Sequence, residues 1–525
     1  MGTNKAPHTM SILDTCRGTN SGILNLDTLT RDANDPDVSR RGELDRSTAR
    51  GFVGFVPAAG AASRYTAPLA EFTSLLKPTT REAAIRVATQ LRNNGALTWP
   101  LDPKIAALIE DPATITTAPP AALRAAAKSM RLPKALTSCV RGGVTFLEMK
   151  AMEHSAIGDF TGQVFVAPAF GTRGFTRILS KYATRNKASD VALASIRSKV
   201  LEQGVDLSTI RLRRDGTPAR EADGQLSLVP AGHGALIRLF GHVQLDFPEA
   251  HSVFIRNIDG VIGVRAQTVK ACRQFLAAHQ IVLNFVRDVR TALHADRLTG
   301  LGASILDFLA RAGIKTEAKA PVSVANIEEL LWKVQDEVFH CSASTPRTRA
   351  SLASLFDRPV NTLGQVPNLG SDVGGTPVFL DVSPAKWNLR GEAPRKVCLE
   401  LSHATPEDAE KTMRNPARAT HFNPVFLAAE ISDDTKAGQS ARGSRETLAQ
   451  QTSRLARYEW SNHPWWVIAQ KKWRGEDVYY HESLLFEILG NSAMANVTFV
   501  EIPRFLFNPH KTLADSAKHS LADWT

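Results

Sequence analysis

Continuous apolar runs bounded by small or turn-forming residues predict buried strands at Phe52–Val56, Gln163–Ala167, Val253–Ile255, Val378–Leu380, Val397–Leu401 and Val497–Ile502. Between them, apolar positions recur at helical spacing. Ala84, Ile85, Val87, Ala88 and Leu91 form one stripe along Glu82–Asn94, and Gly95 stands where a helix would end. Ile327, Leu330, Leu331, Val334 and Val338 do the same along Val324–Phe339. Val269–Leu293, Ala303–Ala312 and the Ala-rich Pro120–Met130 read as further helices, the last with its proline suited to a first turn. Strands alternating with helices predict an α/β protein with a central sheet and crossover helices.

The same pattern divides the chain. Residues 1–50 are polar and weakly patterned and read as a flexible or loosely docked leader. Residues 51–265 form one half of the core, with a helical insertion at 68–131. A second helical insertion spans 266–350, and residues 351–525 form the other half of the core and the C-terminal segment. The polar stretch Asp433–Ser453 predicts an exposed loop.

Composition narrows the class. At 525 residues the chain has room for about three to four domain-sized units, or for one large enzyme domain with insertions. Apolar residues make up 43% and charged residues 22%, which excludes wholesale disorder, collagen-like repeats and a small disulfide scaffold. Lys and Arg number 63 against 52 Asp and Glu, a net +11 that favours anionic partners such as nucleotides, nucleic acid or acidic lipid. That charge is dilute, with no basic block and no aromatics interleaved along a basic stripe, which argues against nucleic acid. The five cysteines are far apart, with no Cys-x-x-Cys. This argues against a zinc site or disulfide framework and suits a reducing cytoplasm. The start lacks a basic segment followed by an apolar core, and no run approaches about 18 apolar residues. Neither a signal peptide nor a membrane-spanning helix is expected.

Five places could carry chemistry. The small residues Ala58, Ala59, Gly60, Ala61, Ala62 and Ser63 follow a buried strand, where backbone N–H groups can approach phosphate, and Arg64 adds a planar fork. The same residues would also serve a tight strand–helix turn. Lys134 follows Pro133 and could be held at a phosphate as a point charge. Gly232 and Gly234 flank His233, which permits a flat ligand against the backbone or an ordinary glycine turn. Asp259, in Asn257-Ile258-Asp259, ends a strand. Ligands bind beyond the carboxyl ends of strands in open α/β sheets, and one carboxylate there can hold Mg²⁺ against phosphates; an Asx turn is the plainer alternative. Lys511 stands in Phe507-Asn-Pro-His-Lys-Thr512, a rigid basic turn. Gly-x-Ser-x-Gly, His-Glu-x-x-His and Gly-x-x-x-x-Gly-Lys-Ser/Thr are absent.

The order of these motifs resembles the UDP-glucose/UDP-N-acetylhexosamine pyrophosphorylases. It resembles more closely an uncharacterised bacterial family on the same framework, from about Phe52 onward. The second likeness rests on Val56-Pro-Ala-Ala-Gly-Ala-Ala-Ser-Arg64, Leu132-Pro-Lys134, Phe254-Ile-Arg-Asn-Ile-Asp259, Gly374-Gly-Thr-Pro377, Ala419-Thr-His-Phe-Asn-Pro424 and Phe499-Val-Glu-Ile-Pro503. The resemblance implies a GT-A-like, Rossmann-like nucleotidyltransferase core with a mixed central sheet, 51–265 holding the nucleotide and 351–525 the acceptor. It implies Mg²⁺ and transfer from a nucleoside triphosphate, UTP favoured, to a sugar 1-phosphate or similar phosphomonoester. By resemblance, residues 58–64 hold the triphosphate, Lys134 and Lys511 act with Arg64 on phosphate charge, and Gly232, His233 and Gly234 line the nucleoside pocket. Asp259 holds the metal, and Gly374, Gly375, Glu400 and Asn423 face the acceptor. Ala59 and Ala62 stand where the enzymes usually have glycine, and the Arg64–Lys134 gap is long. A catalytically degenerate, nucleotide-binding regulatory protein is therefore the alternative expectation.

Overall fold

The computed structural model describes residues 22–31, 45–60, 65–99, 101–126, 132–140, 143–187, 196–319, 321–340, 346–370, 374–379, 396–404, 406–431 and 467–525. Internal contacts divide the chain into two units. The first comprises Met1–Gly54, Gly204–Ile255 and Lys270–Arg504; the second comprises Phe55–Gln203, Arg256–Val269 and Phe505–Thr525. These units interleave along the sequence and do not follow the expected boundaries at 265 and 350.

The fold is α/β with a mixed central sheet. Its main strands are β1 (Ile23–Asn25), β2 (Phe52–Pro57), β3 (Gly162–Pro168), β4 (Ser198–Gln203), β5 (Ser252–Arg256), β6 (Val360–Pro367), β7 (Phe426–Glu430) and β8 (Asn496–Glu501). In the first unit the order is β1-β8-β6-β7-β5, followed by the opening residues of β2. There β1 runs parallel to β8, β8 parallel to β6, and β7 antiparallel to β6. In the second unit the closing residues of β2 are followed by β3 and then β4, the last two parallel.

Strands β3 and β5 are buried along their whole length, and β2 along all but its last residue, as their unbroken apolar runs require. Strand β6 is as buried but holds Asn361, Thr362 and Gln365, so its pattern does not announce a strand. Its polar groups find partners inside: Asn361 Nδ2 donates to the Leu489 carbonyl at 2.9 Å, and Thr362 Oγ1 lies 3.0 Å from His279 Nδ1. The leader reading needs correction. Within residues 1–50, β1 pairs with β8, and Leu24, Leu26 and Leu29 are buried. Three residues of strand are too few to show a period.

The first unit also carries the helix Ala266–His294 from Lys270 onward, and the helices Leu301–Arg311, Val324–Glu337 and Arg349–Phe356. In the second unit the stretch expected to be helical breaks into Ala67–Ser74, Arg81–Asn93, Pro103–Glu110, Thr114–Thr117 and Pro120–Ala126. These pack with Tyr65, Trp99, Phe146, Phe165, Phe175, Val261 and Trp524 into one apolar core. Helix Phe146–Ile157 crosses that core, opened by a reciprocal capping box between Thr145 and Glu148, with Glu148, Lys150, Glu153 and His154 all buried. Leu380, at the end of an expected strand, and the expected loop Asp433–Ser453 lie outside the described residues. Cys139, Cys272 and Cys398 are buried free thiols. Among the described residues, no helix is long and apolar enough to cross a membrane.

Buried histidines give the fold an acid limit. Burial pushes His154 in the second unit down to about 4, against a hydrogen bond to Gln163 Oε1 at 3.0 Å that acts upward. The unfolded chain then binds a proton near pH 6.5 that the folded chain refuses until about pH 4. Below pH 6.5 the unfolded state holds more protons, so stability falls with falling pH across that window, by up to about 1.4 kcal/mol per pH unit for one such group. His154→Gln should remove this contribution. Melting curves from pH 7 to 4 should show the variant losing less Tm than the wild type.

Candidate functional site

In the second unit, three motifs far apart in sequence meet. Pro133 is extended, at φ −65° and ψ 138°, and delivers Lys134 into a short 3-10 turn. The Lys134 side chain is only 2% exposed. Its ammonium lies 2.6 Å from Asp259 Oδ1, donates to the His510 carbonyl, and sits 4.9 Å and 4.8 Å from the ring centroids of Tyr65 and Phe146. Burial lowers the Lys134 pKa, while the charge of Asp259 works in the opposite direction.

Asp259 stands in the turn after β5. Asn257 Oδ1 accepts from its N–H at 3.4 Å, so the Asx-type turn is present alongside the ion pair. The turn is laced to the C-terminal loop. Val261 N–H donates to the Asn508 carbonyl at 3.0 Å, and His510 N–H donates to the Asp259 carbonyl at 3.0 Å. Lys511 follows directly and is exposed. Its N–H and that of Thr512 donate to Asp515 Oδ2 at 3.1 and 2.8 Å, the start of a capped helix.

The Asp259 side chain is 34% exposed, and among the described residues its Oδ2 has no partner. Among those residues no group of three His, Cys, Asp or Glu is placed to hold a metal. One half-open carboxylate fits an ion such as Mg²⁺, which takes most of its ligands from water and phosphate, and does not fit a metal needing an all-protein cage.

The first loop is described only in part. Ala58 is buried and its N–H donates to the Val166 carbonyl at 3.0 Å, so the sheet already uses that donor. Gly60 is exposed, and a Cβ there would meet nothing among the described residues. Ala61, Ala62, Ser63 and Arg64 lie outside the described residues.

The remaining expected residues lie in the first unit, where Gly232, His233, Gly234, Gly375 and Glu400 gather on the segment Glu482–Leu489. A Cβ on Gly232, at φ +80°, would stand 2.3 Å from the Ser483 carbonyl, and one on Gly234 2.5 Å from Ser483 Oγ. His233 Nδ1 accepts from Leu485 N–H at 2.9 Å, leaving the neutral ring to carry its proton on Nε2. Burial pushes that histidine down to about 4, and His403 adds to the effect. Gly375 faces Phe486 and Cys398, and a Cβ there would lie 2.5 Å from the phenylalanine ring. Gly374 packs on Phe422 and the Asn423 carbonyl. Glu400 donates its N–H to Glu487 Oε1 at 2.9 Å, the oxygen that also holds His403 Nδ1 at 2.7 Å.

The close approaches that require glycine at 232, 234, 374 and 375 are to the chain itself. Asn423 spends its amide on the backbone: Nδ2 donates to the Gly364 and Phe426 carbonyls at 2.7 and 3.0 Å, and Oδ1 accepts from Val425 and Phe426 N–H. It stabilises a turn in which Val425 has φ +59°.

Sequence reasoning missed Tyr65 and Phe146 beside Lys134, the segment 482–489, and Lys150 and Glu153 beneath the Asp259 turn. The Thr145-x-x-Glu148 capping box was the available signal for the last pair.

A family model described as a domain of unknown function (DUF4301) matches residues 183–520. No curated protein matches the chain. Among solved structures, a UDP-glucose phosphorylase from Trypanosoma brucei is similar, at 14% identity and TM-score 0.42, over 98% of this chain and 70% of that one. A UDP-glucose pyrophosphorylase mutant from Leishmania major, in complex with UDP-glucose, is similar at 12% identity and TM-score 0.44, over 98% and 71%.

The Lys134–Asp259 pair makes a thermodynamic prediction. Removing either charge strands the other in a mostly apolar setting, whereas removing both does not. Asp259→Asn and Lys134→Met should each cost about 1–3 kcal/mol, the buried-pair figure reduced because Asp259 is one-third exposed. The double variant should be more stable than the sum of the two losses allows. Tm values of the four proteins close the cycle; simple additivity would mean the pair is not coupled.

Proposed function

We propose that this chain, which belongs to the DUF4301 family, is a nucleotidyltransferase that joins a nucleoside monophosphate to a sugar 1-phosphate or similar phosphomonoester and releases pyrophosphate. The observation carrying this reading is the convergence of Lys134, Asp259 and the Lys511 loop. They lie 125 and 376 positions apart, measured from Lys134 to Asp259 and to His510, yet the ammonium of Lys134 touches both partners directly. The sequence resemblance supplies the donor and acceptor classes, with UTP the favoured donor.

The chemistry needs no protein nucleophile. An ionised oxygen of the acceptor phosphate attacks the α-phosphorus, the bond to the β-phosphate bridging oxygen breaks, and pyrophosphate leaves with that electron pair. What the protein must supply is alignment of two polyanions and neutralisation of their charge. Lys511, exposed on a capped turn, would meet the phosphates directly. Lys134 would add a fixed positive charge beneath them, and Arg64 a third. Asp259 would hold Mg²⁺ with phosphate and water oxygens as its other ligands, and the ion would neutralise charge there.

Pyrophosphate release, screened over four nucleoside triphosphates and a panel of sugar phosphates with Mg²⁺, tests the reaction. Lys511→Ala should lower kcat by about 10²–10³ while changing the nucleotide KM far less, the scale for one preorganised electrostatic contact. Tm should hold, because among the described residues the Lys511 ammonium makes no ion pair. Lys511→Arg should restore only part of kcat, since a planar guanidinium does not replace a compact ammonium. Nucleotide binding with no pyrophosphate release in the wild type would select the regulatory alternative. Unchanged kinetics in Lys511→Ala would remove the assigned role.

A further inference from the structure

We infer that Glu153 is the positioning residue of this site: its carboxylate closes the Asp259 turn at both ends and, through the main chain, sets the loop that bears Lys511. The kinetic half of this inference rests on the proposed function; the geometric half stands without it.

Glu153 lies inside helix Phe146–Ile157 and is fully buried. Its Oε2 accepts from Arg256 Nη1 at 2.6 Å and from Lys150 Nζ at 2.9 Å. Its Oε1 accepts from Ile262 N–H at 2.8 Å and Gly263 N–H at 3.0 Å. Arg256 is where the chain enters the turn, and Ile262 and Gly263 are where it leaves. The middle is held by the same group of charges. The Gly260 carbonyl accepts from Arg256 Nη2 at 2.8 Å and from the Lys150 ammonium. One carboxylate thus gathers the entry and the exit, and the two cations paired with it gather the crest.

The connection continues outward. Gly260 bridges to Pro509, Val261 N–H donates to the Asn508 carbonyl, and His510 N–H donates to the Asp259 carbonyl. Lys134 donates to the Asp259 carboxylate and to the His510 carbonyl. A shift of Gly260–Gly263 therefore carries the Asp259 carboxylate and the base of Lys511 with it. None of the hydrogen bonds of the Glu153 carboxylate is to the side chain of Lys134 or Asp259, so its influence runs through the backbone.

The charge state suits the task. Burial would raise the Glu153 carboxyl, but Arg256 and Lys150, with the Ile262 N–H, outweigh it and bring the group down to about 2. It is a carboxylate at every working pH, with four donors on its two oxygens.

The test uses the full chain and two variants. Glu153→Gln keeps the shape but turns an amide N–H₂ towards Arg256 or Lys150. Arg256→Lys keeps every charge but loses the fork that spans Glu153 and Gly260, and it carries the test should Glu153→Gln fail to fold. Hydrogen exchange read by mass spectrometry should rise about ten-fold or more in peptides covering 257–264 and 505–512, while peptides from the first unit exchange as in the wild type. Pyrophosphate release should show kcat lowered about 10- to 100-fold with nucleotide KM within about three-fold, as misplacement of a charge by a fraction of an ångström to an ångström implies. A variant that only loses Tm, with wild-type exchange in both peptides and wild-type kcat per folded molecule, would overturn the inference. If the wild type releases no pyrophosphate while the two peptides loosen together, the proposed reaction fails and the control of the turn by Glu153 stands.

Discussion

A cation taken out of water must recover its hydrogen bonds from the protein, and among the described residues the second unit removes three: Lys134, Lys150 and Arg256, each at most 2% exposed. Among the groups that receive them are the carboxylates of Glu153 and Asp259 and the carbonyls of Gly260 and His510. Two of these are main-chain oxygens, so the buried charges act on the backbone path as well as on side chains. The path of residues 256–263 and 508–510 therefore answers to two constraints, apolar packing of Ile258 and Val261 and the acceptors that buried charge demands. The aromatic faces of Tyr65 and Phe146 beside Lys134 add attraction without adding a competing acceptor.

The first unit obeys a different constraint, steric rather than electrostatic. Ser483, Phe486 and Cys398 press against Gly232, Gly234 and Gly375 closely enough that any side chain would collide. A glycine flanking a histidine reports that something comes close to the backbone; it does not report what. Here the partner is another stretch of the same chain, and His233 is locked by Leu485 N–H in one tautomer. The motifs still lie together, because the segment 482–489 draws 232–234, 375 and 400 onto itself.

How much of this the sequence reveals follows from the same physics. Strands β2, β3, β5 and β8 are legible because both faces are buried and their apolar runs are unbroken or nearly so. Strand β6 is not, because His279 and the Leu489 carbonyl let it bury Thr362 and Asn361 at little cost, and helix Phe146–Ile157 is not, because its charges face inward as pairs and look like a solvated surface. Lys134, Asp259 and Lys511 can be picked out because rigid turns hold them, each near a proline or at a strand end. Glu153 cannot, since its partners Arg256, Ile262 and Gly263 lie more than a hundred positions away and include two backbone N–H groups with no sequence signature. Asn423 shows the limit from the other side: a residue type suited to a ligand also serves a turn, and the two uses read alike in sequence.

The two lysines of the site differ in burial and in reach. Lys134 is desolvated by folding itself, its ammonium held by Asp259, the His510 carbonyl and two rings. Lys511 keeps its water and its mobile stem, but the residue beneath it is held by Asp515 and by the pairing of His510 with Asp259. In the proposed reaction, a fixed charge without reach and a reaching charge on a fixed base would divide between them what an in-line displacement at phosphorus needs: a field oriented towards the departing charge, and a cation able to follow the phosphate as it moves. Both charges are tied to the turn whose two ends hydrogen-bond to Glu153, Lys134 through the Asp259 carboxylate and Lys511 through the His510 N–H, so the inferred positioning by Glu153 would hold them in a common frame.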